Sequence, residues 1–260
     1  MTPSAPRWLL DARAEADRPP AVRRDPLSFD GCTFGSVEPG LAARIVAAGL
    51  PLARDGDGWE LRGPIDASLA EIAAWLHRER LAAPWRSELL AVTDASGGVL
   101  GAVERAVVRV LGVTTFAVHL TGRALDGGTW VQQRAFSKAI DAGQWDTLMG
   151  GQVAAGESTE TSLARETMEE AGLDISTLLD VQQQGRLAFR RPVPEGYLVE
   201  HIDVYACTLP AGSVPNNLDG EVERFECLRD AALEARLASR QFTLEATLIL
   251  ADEIARRRGG

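Results

Sequence analysis

Three glutamates constrain this chain most strongly, because their spacing puts three carboxylates on one face of a predicted helix. They are Glu166, Glu169 and Glu170, at positions i, i+3 and i+4 of a pattern with 3.6 residues per turn. Like charges at this spacing repel each other, at a cost on the order of a few tenths of a kcal/mol per pair. A hard divalent cation with oxygen ligands would remove the repulsion, so the spacing indicates a candidate metal site.

Signals for the two ends of this helix flank the carboxylates. Ser158 or Thr159 can cap the first turn, and Gly172 fits a left-handed stop after the last turn. The opposite face carries Met168 and Ala171, which we expect to pack on a sheet.

The helix is part of a longer pattern that runs from Gly151 to Gly172. It reads glycine, five residues, glutamate, seven residues, Arg-Glu, two residues, Glu-Glu, one residue, glycine. A short E-x-x-E-E alone is more typical of a solvated acidic helix face. Seven fixed positions, however, recur by chance only about once in millions of windows. The pattern resembles the Nudix box, whose family hydrolyses diphosphates linked to another moiety.

The resemblance implies a role for each matched residue. A divalent ion, Mg²⁺ with Mn²⁺ as the alternative, would be bound by the carboxylates and one backbone carbonyl, from Glu166, Glu169, Glu170 and Gly151. Two further charged positions, Glu157 and Arg165, would orient and brace the helix. Thr167 departs from the aliphatic residue that the family prefers, and lies away from the carboxylate face.

Charged residues outside the box extend the candidate site. Arg134 and Lys138 precede the box in an R-x-x-x-K segment, either as ordinary surface charges or as cations that contact the diphosphate. Similar segments occur in the Nudix branch that includes isopentenyl-diphosphate isomerases. Glu221 and Glu223 follow a turn and share one face of a predicted edge strand. We expect Glu221 to deprotonate the attacking water, with Glu166 as the alternative base.

The box resemblance covers about residues 112–260 and implies an α/β fold, a Nudix-type α/β/α sandwich with a mixed sheet. Residues 111–260 are therefore predicted to form the Nudix hydrolase domain, and residues 1–110 a small α+β companion domain. Within the latter we predict a hairpin over 51–62 and a helix that starts at Ser68. The first thirty residues, rich in Arg, Asp, Ala and Pro, are expected to form a partly mobile lead-in.

Segments outside the box resemble one subgroup more closely, which includes plant plastid and fungal Nudix proteins with an N-terminal companion domain. The matching segments include Phe29–Gly40, Pro194–Gly196 and Asp219–Val222. The subgroup is associated with hydrolysis of thiamine diphosphate, especially its oxidised forms, to the monophosphate. Gln152 stands where this subgroup tends to have an aliphatic residue.

Composition excludes some classes of partner. A net charge of −10 argues against binding to a nucleic-acid backbone. No apolar run reaches the length of a membrane span, and no hydrophobic signal region opens the sequence. The three cysteines form no C-x-x-C pair and are expected to be reduced, which predicts a cytosolic location. The expected partner is a small-molecule diphosphate.

The sequence is compatible with other functions to different degrees. A pyrophosphatase acting on nucleoside diphosphate derivatives, of the ADP-ribose or NADH type, would use the same box. A non-catalytic ligand-binding module would usually show an eroded box. An isopentenyl-diphosphate isomerase would need a His-rich metal site, and the three histidines show no metal-ligand spacing. Trp75, Trp85 and Phe34 either stack on a flat substrate ring or pack in a core.

Overall fold

The computed structural model describes residues 5–259, and its N-terminal part contains a four-stranded sheet and a separate hairpin. Strands β2, β1, β4 and β3 lie side by side in that order, with β1 parallel to β4. The predicted hairpin over 51–62 is confirmed as β3 and β4. In chain order the elements are α1 (Arg7–Ala16), β1 (Asp25–Phe29), β2 (Cys32–Val37), α2 (Pro39–Ala47), β3 (Leu52–Asp55), β4 (Gly58–Leu61), α3 (Ile65–Arg78), β5 (Leu89–Thr93) and β6 (Val99–Glu104).

A seven-stranded mixed sheet dominates the rest of the chain. Strands run in the order β11, β12, β7, β8 and β13, with β10 paired to β7 and β9 to β8. Only β7 and β12 are parallel among the described pairs of this sheet. Its elements are β7 (Thr114–Ala124), β8 (Thr129–Arg134), β9 (Trp145–Asp146), β10 (Met149–Gln152), α4 (Thr159–Ala171), β11 (Leu179–Val193), β12 (Gly196–Leu209), β13 (Val222–Leu228), α5 (Asp230–Ala238) and α6 (Leu244–Gly259).

Helices cover both faces of this sheet. On one face Leu163 of α4 is buried in a cluster with Val118 of β7. On the other face Leu248 of α6 and Ala12 of α1 are buried with Ile202 of β12. This arrangement is the α/β/α sandwich with a mixed sheet that the sequence predicts, preceded by additional α and β elements. Within residues 5–259 no helix has both the length and the apolar character that a membrane crossing requires.

The expectation of a mobile lead-in is wrong for much of the first thirty residues. Residues 7–16 form α1, whose Ala12 and Ala16 are buried at the i, i+4 spacing of one helix face. An ion pair of 3.0 Å between Asp17 and Arg190 of β11 fixes the end of the helix. Helix α1 thus packs on the C-terminal sandwich although it precedes the four-stranded sheet. The division at 110/111 stays a prediction.

Helix α3 begins earlier than predicted. Its first residue is Ile65, with Pro64 at the N-cap, rather than a cap at Ser68. The Ser68 hydroxyl instead donates to the Arg62 carbonyl at 2.6 Å. Pro64 stands before the first helical residue, so its missing N–H leaves no hydrogen bond of the helix unmade.

Strand β5 connects the N-terminal elements to the loop that leads into α4. The Ala155 amide donates to the Leu89 carbonyl at 2.8 Å, and Leu90 forms a β-bridge with Ala154. We call residues 153–158, between β10 and α4, the box loop. The β5–β6 hairpin lies directly beside this loop, and the end of the hairpin reaches the candidate site.

Candidate active site

A cleft of about 570 Å³ lies where the box loop, α4, β10 and the end of the β5–β6 hairpin meet. Eight of the nine predicted site residues line this cleft, and the ninth, Glu157, contacts one of the eight, Arg165. Four of the eight belong to α4, namely Arg165, Glu166, Glu169 and Glu170. The other four are Arg134, Lys138, Gly151 and Glu221.

Helix α4 has the predicted ends. The Ser158 hydroxyl accepts a hydrogen bond of 3.1 Å from the Thr161 amide, which satisfies one of the free N–H groups of the first turn. Gly172 follows the last turn with φ of 62°, a left-handed conformation that favours glycine. The predicted N-cap and C-terminal stop are confirmed.

The three carboxylates of α4 lie in different environments. Glu170 is only 2% exposed, whereas 46% of the Glu169 side chain is exposed and Glu166 is between the two. The expectation that Met168 packs on the sheet is wrong, because this residue is 41% exposed. The helix turns another stripe toward the sheet, and its buried residues are Ser162, Leu163, Thr167, Glu170 and Ala171.

Thr167 fits its buried position despite the hydroxyl group. Its Oγ1 donates to the Leu163 carbonyl at 2.6 Å, one turn earlier in α4. The polar atom is therefore satisfied within the helix, and the departure from an aliphatic residue leaves no unpaired group in the core.

Arg165 is the centre of a network of charged hydrogen bonds. Its Nε and Nη2 contact the two carboxylate oxygens of Glu157 at 3.0 and 2.9 Å. Its Nη1 contacts both Glu166 Oε1 and Glu169 Oε2, each at 2.9 Å. The hydrogen bonds that Arg165 donates to Glu157 lower the pKa of Glu157, and the same hydrogen bonds are the main cause of the raised pKa of Arg165. These contacts hold the box loop against the helix.

Glu170 is a buried acid with two hydrogen bonds to one oxygen. Its Oε2 accepts from Gln132 Nε2 at 2.9 Å and from the Gly150 amide at 3.1 Å. Burial raises the pKa of Glu170 to about 8, although both hydrogen bonds act in the opposite direction. An ionised Glu170 therefore needs a nearby positive charge.

The chemistry of the predicted metal ligands suits a hard divalent cation. All four predicted ligands offer oxygen atoms, and a β-carbon at Gly151 would displace the Glu166 carboxyl group from its present position. Across residues 5–259, no three His, Cys, Asp or Glu side chains converge with metal-binding spacing. The Arg165 guanidinium engages Oε1 of Glu166 and Oε2 of Glu169, so the second oxygen of each carboxylate is the one that would reach an ion.

Glu221 and Lys138 form an ion pair at the mouth of the cleft. Glu221 precedes β13 and does not lie within that strand, which begins at Val222; Glu223, its predicted neighbour on one strand face, does not line the cleft. Burial raises the pKa of Glu221, but Lys138, and to a smaller extent Arg105 and Arg134, outweigh burial and lower it. Glu221 is therefore ionised at neutral pH, as a general base must be.

Arg134 lines the cleft but is already held by protein groups. Its Nη1 lies 3.5 Å from Asp146 Oδ2, and its Nη2 donates to the Ile140 carbonyl at 3.2 Å. These contacts fix the guanidinium in the cleft wall, where it contributes charge.

Several residues that line the cleft are not predicted as site residues from the sequence. Two are arginines from the N-terminal elements: Arg105, which forms an ion pair of 2.7 Å with Glu88, and Arg109. Others come from the sheet and α6, namely His119, Gln152, Arg191, Glu200 and Glu245. No local pattern marks them, because strand pairing distant in sequence brings them together.

The aromatic residues considered for ring stacking lie elsewhere. Phe34 and Trp75 are 3% and 8% exposed within the N-terminal core, and Trp85 packs edge-on against His77. Among the described residues that line the cleft there is no Phe, Tyr or Trp. The core alternative is therefore correct for Phe34 and Trp75.

Comparisons with known proteins agree with this geometry. The NUDIX domain family matches residues 111–247. A solved structure of a Deinococcus radiodurans protein superposes with a TM-score of 0.52 at 23% identity, covering 63% of this chain and 98% of that one. This similarity shows the fold.

Two curated relatives are similar in sequence. Nudix hydrolase 20, chloroplastic, of Arabidopsis thaliana is 28% identical over 60% of this chain, but the match spans only 43% of the plant protein. An isopentenyl-diphosphate Delta-isomerase of Corynebacterium glutamicum is 28% identical over 54% of this chain and 75% of its own length. The family match and the arrangement of the box residues lead to one conclusion: the chain belongs to the Nudix domain family.

Proposed function

We propose that this chain is a metal-dependent hydrolase that cleaves a diphosphate linkage in a small metabolite. One observation carries the proposal. A single cleft holds the carboxylates of α4, the glycines of β10, the cations Arg134 and Lys138, and the ionised Glu221. These are the groups that hydrolysis of a diphosphate needs, because the reaction requires charge neutralisation, positioning and a base.

Glu166, Glu169, Glu170 and the Gly151 carbonyl would hold the ion, Mg²⁺ or Mn²⁺. When bound, the ion supplies positive charge to the diphosphate oxygens and lowers the pKa of a coordinated water. The buried Glu170, whose pKa is raised to about 8, supports this assignment because it needs a cation to remain ionised at neutral pH.

The ion pair between Lys138 and Glu221 supplies the remaining roles. A diphosphate in the cleft competes with Glu221 for the Lys138 ammonium group, since phosphate oxygens carry more charge than one carboxylate. Lys138 then binds the phosphate, and Glu221 becomes free to accept a proton from water. Glu166 is the alternative base.

For the substrate we propose thiamine diphosphate, especially its oxidised forms, with the monophosphate as product. The resemblance to the plastid and fungal subgroup supports this choice, and a chloroplastic Nudix hydrolase of a plant is among the similar proteins. Residues 1–110 would act as the companion domain, since Arg105 and Arg109 form part of the cleft wall. ADP-ribose or NADH-type diphosphates are the competing substrate class.

A hydrolysis screen with chromatographic separation of the products tests the proposal, because thiamine diphosphate releases inorganic phosphate whereas ADP-ribose, NADH and sugar nucleotides each give two phosphomonoesters. Purified protein is incubated with Mg²⁺ and with thiamine diphosphate, its oxidised analogues, ADP-ribose, NADH and sugar nucleotides, with EDTA as a matched blank. We expect a higher kcat/KM for the oxidised thiamine diphosphates than for ADP-ribose or NADH. Preference for ADP-ribose would reject the substrate assignment. An absence of turnover for every diphosphate would support a non-catalytic module.

The isomerase alternative has one observation against it. Cys207 is buried in the core beneath α4, and Cys227 lies on β13, so neither thiol lines the cleft. A carbon-centred proton transfer that relies on a cysteine has no such group within the cleft that the structure describes. Incubation with isopentenyl diphosphate and detection of its allylic isomer provides the direct check.

A further inference from the structure

Gln152 forms a polar pair on the floor of the cleft, one residue from the box glycine Gly151. Its Nε2 donates to Glu200 Oε1 at 2.6 Å. The pairing registers explain the contact: Gln152 of β10 lies opposite Ala117 of β7, and Glu200 of β12 lies opposite Thr115 of β7. Thr115 and Ala117 are two residues apart, so both partners project from the same face of the sheet.

Glu200 is buried, yet one of its oxygens is free. Only 8% of the residue is exposed, and Oε1 accepts from both Gln152 and Thr115, the latter at 3.2 Å. Within residues 5–259, Oε2 accepts no hydrogen bond, and Glu200 lines the cleft. This oxygen is open to the cleft rather than sealed in the core, so a donor on a bound ligand can pair with it.

Glu245, at the start of α6, adds a second carboxyl group to the same floor. Arg191 approaches it with an N–O distance of 3.5 Å, at the edge of hydrogen-bonding range. Ala117, a small residue, lines the same cleft. Beside the donor Arg191, the floor thus offers acceptor oxygens from Gln152, Glu200 and Glu245, and no Phe, Tyr or Trp ring is among the described residues that line the cleft.

We propose that Gln152, Glu200 and Glu245 form the subsite for the leaving group, and that it selects nitrogen heterocycles carrying an amino group. Donors on such a ring meet the free Glu200 oxygen and the Glu245 carboxyl, while a carbonyl at the same ring position meets another acceptor. The inference rests on the proposed hydrolysis of diphosphates, because the diphosphate end must lie at the box for the ring to reach this floor.

Pairs of nucleoside diphosphates that differ at one ring position provide the experiment. CDP and UDP, and likewise ADP and IDP, exchange an amino donor for a carbonyl acceptor on the same scaffold. We expect kcat/KM to be about tenfold or more higher for CDP than for UDP and for ADP than for IDP, because a site with fixed acceptors rejects an acceptor in the ligand.

Substitutions on the floor test the residues themselves. Glu200→Gln keeps an oxygen for Gln152 and Thr115 and places an amide donor where Oε2 was, so the amino preference should fall at least about tenfold. Gln152→Leu removes the partner of Glu200 and should weaken the preference less. Glu71→Gln, an exposed change on α3 outside the cleft, is the matched control and should leave the ratios unchanged. Thermal unfolding verifies that each variant is folded.

Binding without turnover separates this inference from the proposed function. The equilibrium affinities of CDP and UDP are measured by calorimetry on the Glu169→Gln variant in the presence of Mg²⁺. Tighter binding of CDP, lost in the double variant with Glu200→Gln, supports the subsite even if no hydrolysis is found. Equal affinities for the two ligands would overturn it, and hydrolysis without any amino preference would overturn the subsite while the diphosphatase assignment stands.

Discussion

Lys138 and Glu221 form an ion pair across the mouth of the cleft, although one follows β8 and the other precedes β13. The two groups proposed to bind phosphate and to take a proton from water thus neutralise each other until a competing anion arrives.

Glu221→Gln tests the base. We expect kcat to fall by about two to four orders of magnitude with a much smaller change in KM, because proton transfer matters only on the way to the transition state. Steady-state kinetics at saturating Mg²⁺ measure both constants. Glu223→Gln is the matched control, since this exposed neighbour does not line the cleft. If Glu223→Gln has the larger effect on kcat, the base is assigned to the wrong residue.

Glu170 should make the metal-free protein less stable as the pH rises. Its pKa is raised to about 8 in the folded protein, against 4.5 for an ordinary glutamate, so the folded state binds the proton more tightly. The stabilisation is complete below about pH 4.5 and is lost as the pH rises toward 8. Glu170→Gln imitates the protonated form, so its gain in unfolding free energy over the wild type should grow by about 2 kcal/mol between pH 6 and 8.

Urea unfolding in EDTA at these two pH values measures the difference. Glu169→Gln is the comparison, because that side chain is largely exposed. The same Glu170→Gln variant should bind Mg²⁺ more weakly. If Glu170→Gln gains the same unfolding free energy over the wild type at pH 6 and at pH 8, the pKa of Glu170 is not raised in the folded protein.

Arg165→Ala should destabilise the fold, because three carboxylates lose the guanidinium that they share. We expect a loss of about 2 kcal/mol in unfolding free energy, since the Glu157 contact is a two-point charged hydrogen bond and the side chain is only partly exposed. Arg165→Lys should recover only part of it, because an ammonium group cannot make the same fork. A variant as stable as the wild type would show that the network contributes little.

Arg105→Ala tests whether the N-terminal elements take part in binding. The charge of Arg105 reaches the cleft beside Glu88, so its loss should raise KM for a diphosphate several-fold and leave kcat within about twofold. Arg78→Ala, at the exposed end of α3 and away from the cleft, is the matched control. If the KM of the Arg105→Ala variant is unchanged, the diphosphate is bound without Arg105, and we would assign its binding to the C-terminal sandwich.

Sequence alone predicts the box helix well because its signals are local. The Ser158 cap, the Gly172 stop and the carboxylate spacing all lie within one element, and the structure reproduces the cap and the stop. The spacing does not reveal which carboxylate is buried. Packing on the sheet turns Glu170 inward and leaves Met168 exposed, which helical periodicity alone does not decide.

The missed residues depend on contacts distant in sequence. Arg105 reaches the cleft only because β5 pairs with the box loop, and Glu200 only because β12 pairs with β7. Helix α1 was missed for a similar reason, since its small apolar residues become a buried face only when α6 is present. None of these positions carries a motif of its own.

The hydrogen bond from Ala155 to Leu89 has a mechanical consequence. Ala155 lies four residues after Gly151, and Leu89 lies next to Glu88, the partner of Arg105. A shift of the β5–β6 hairpin therefore pulls on the box loop and moves Arg105 at the same time. We expect heat or a mutation that loosens this hairpin to change the width of the cleft, because the N-terminal elements hold the box loop in place.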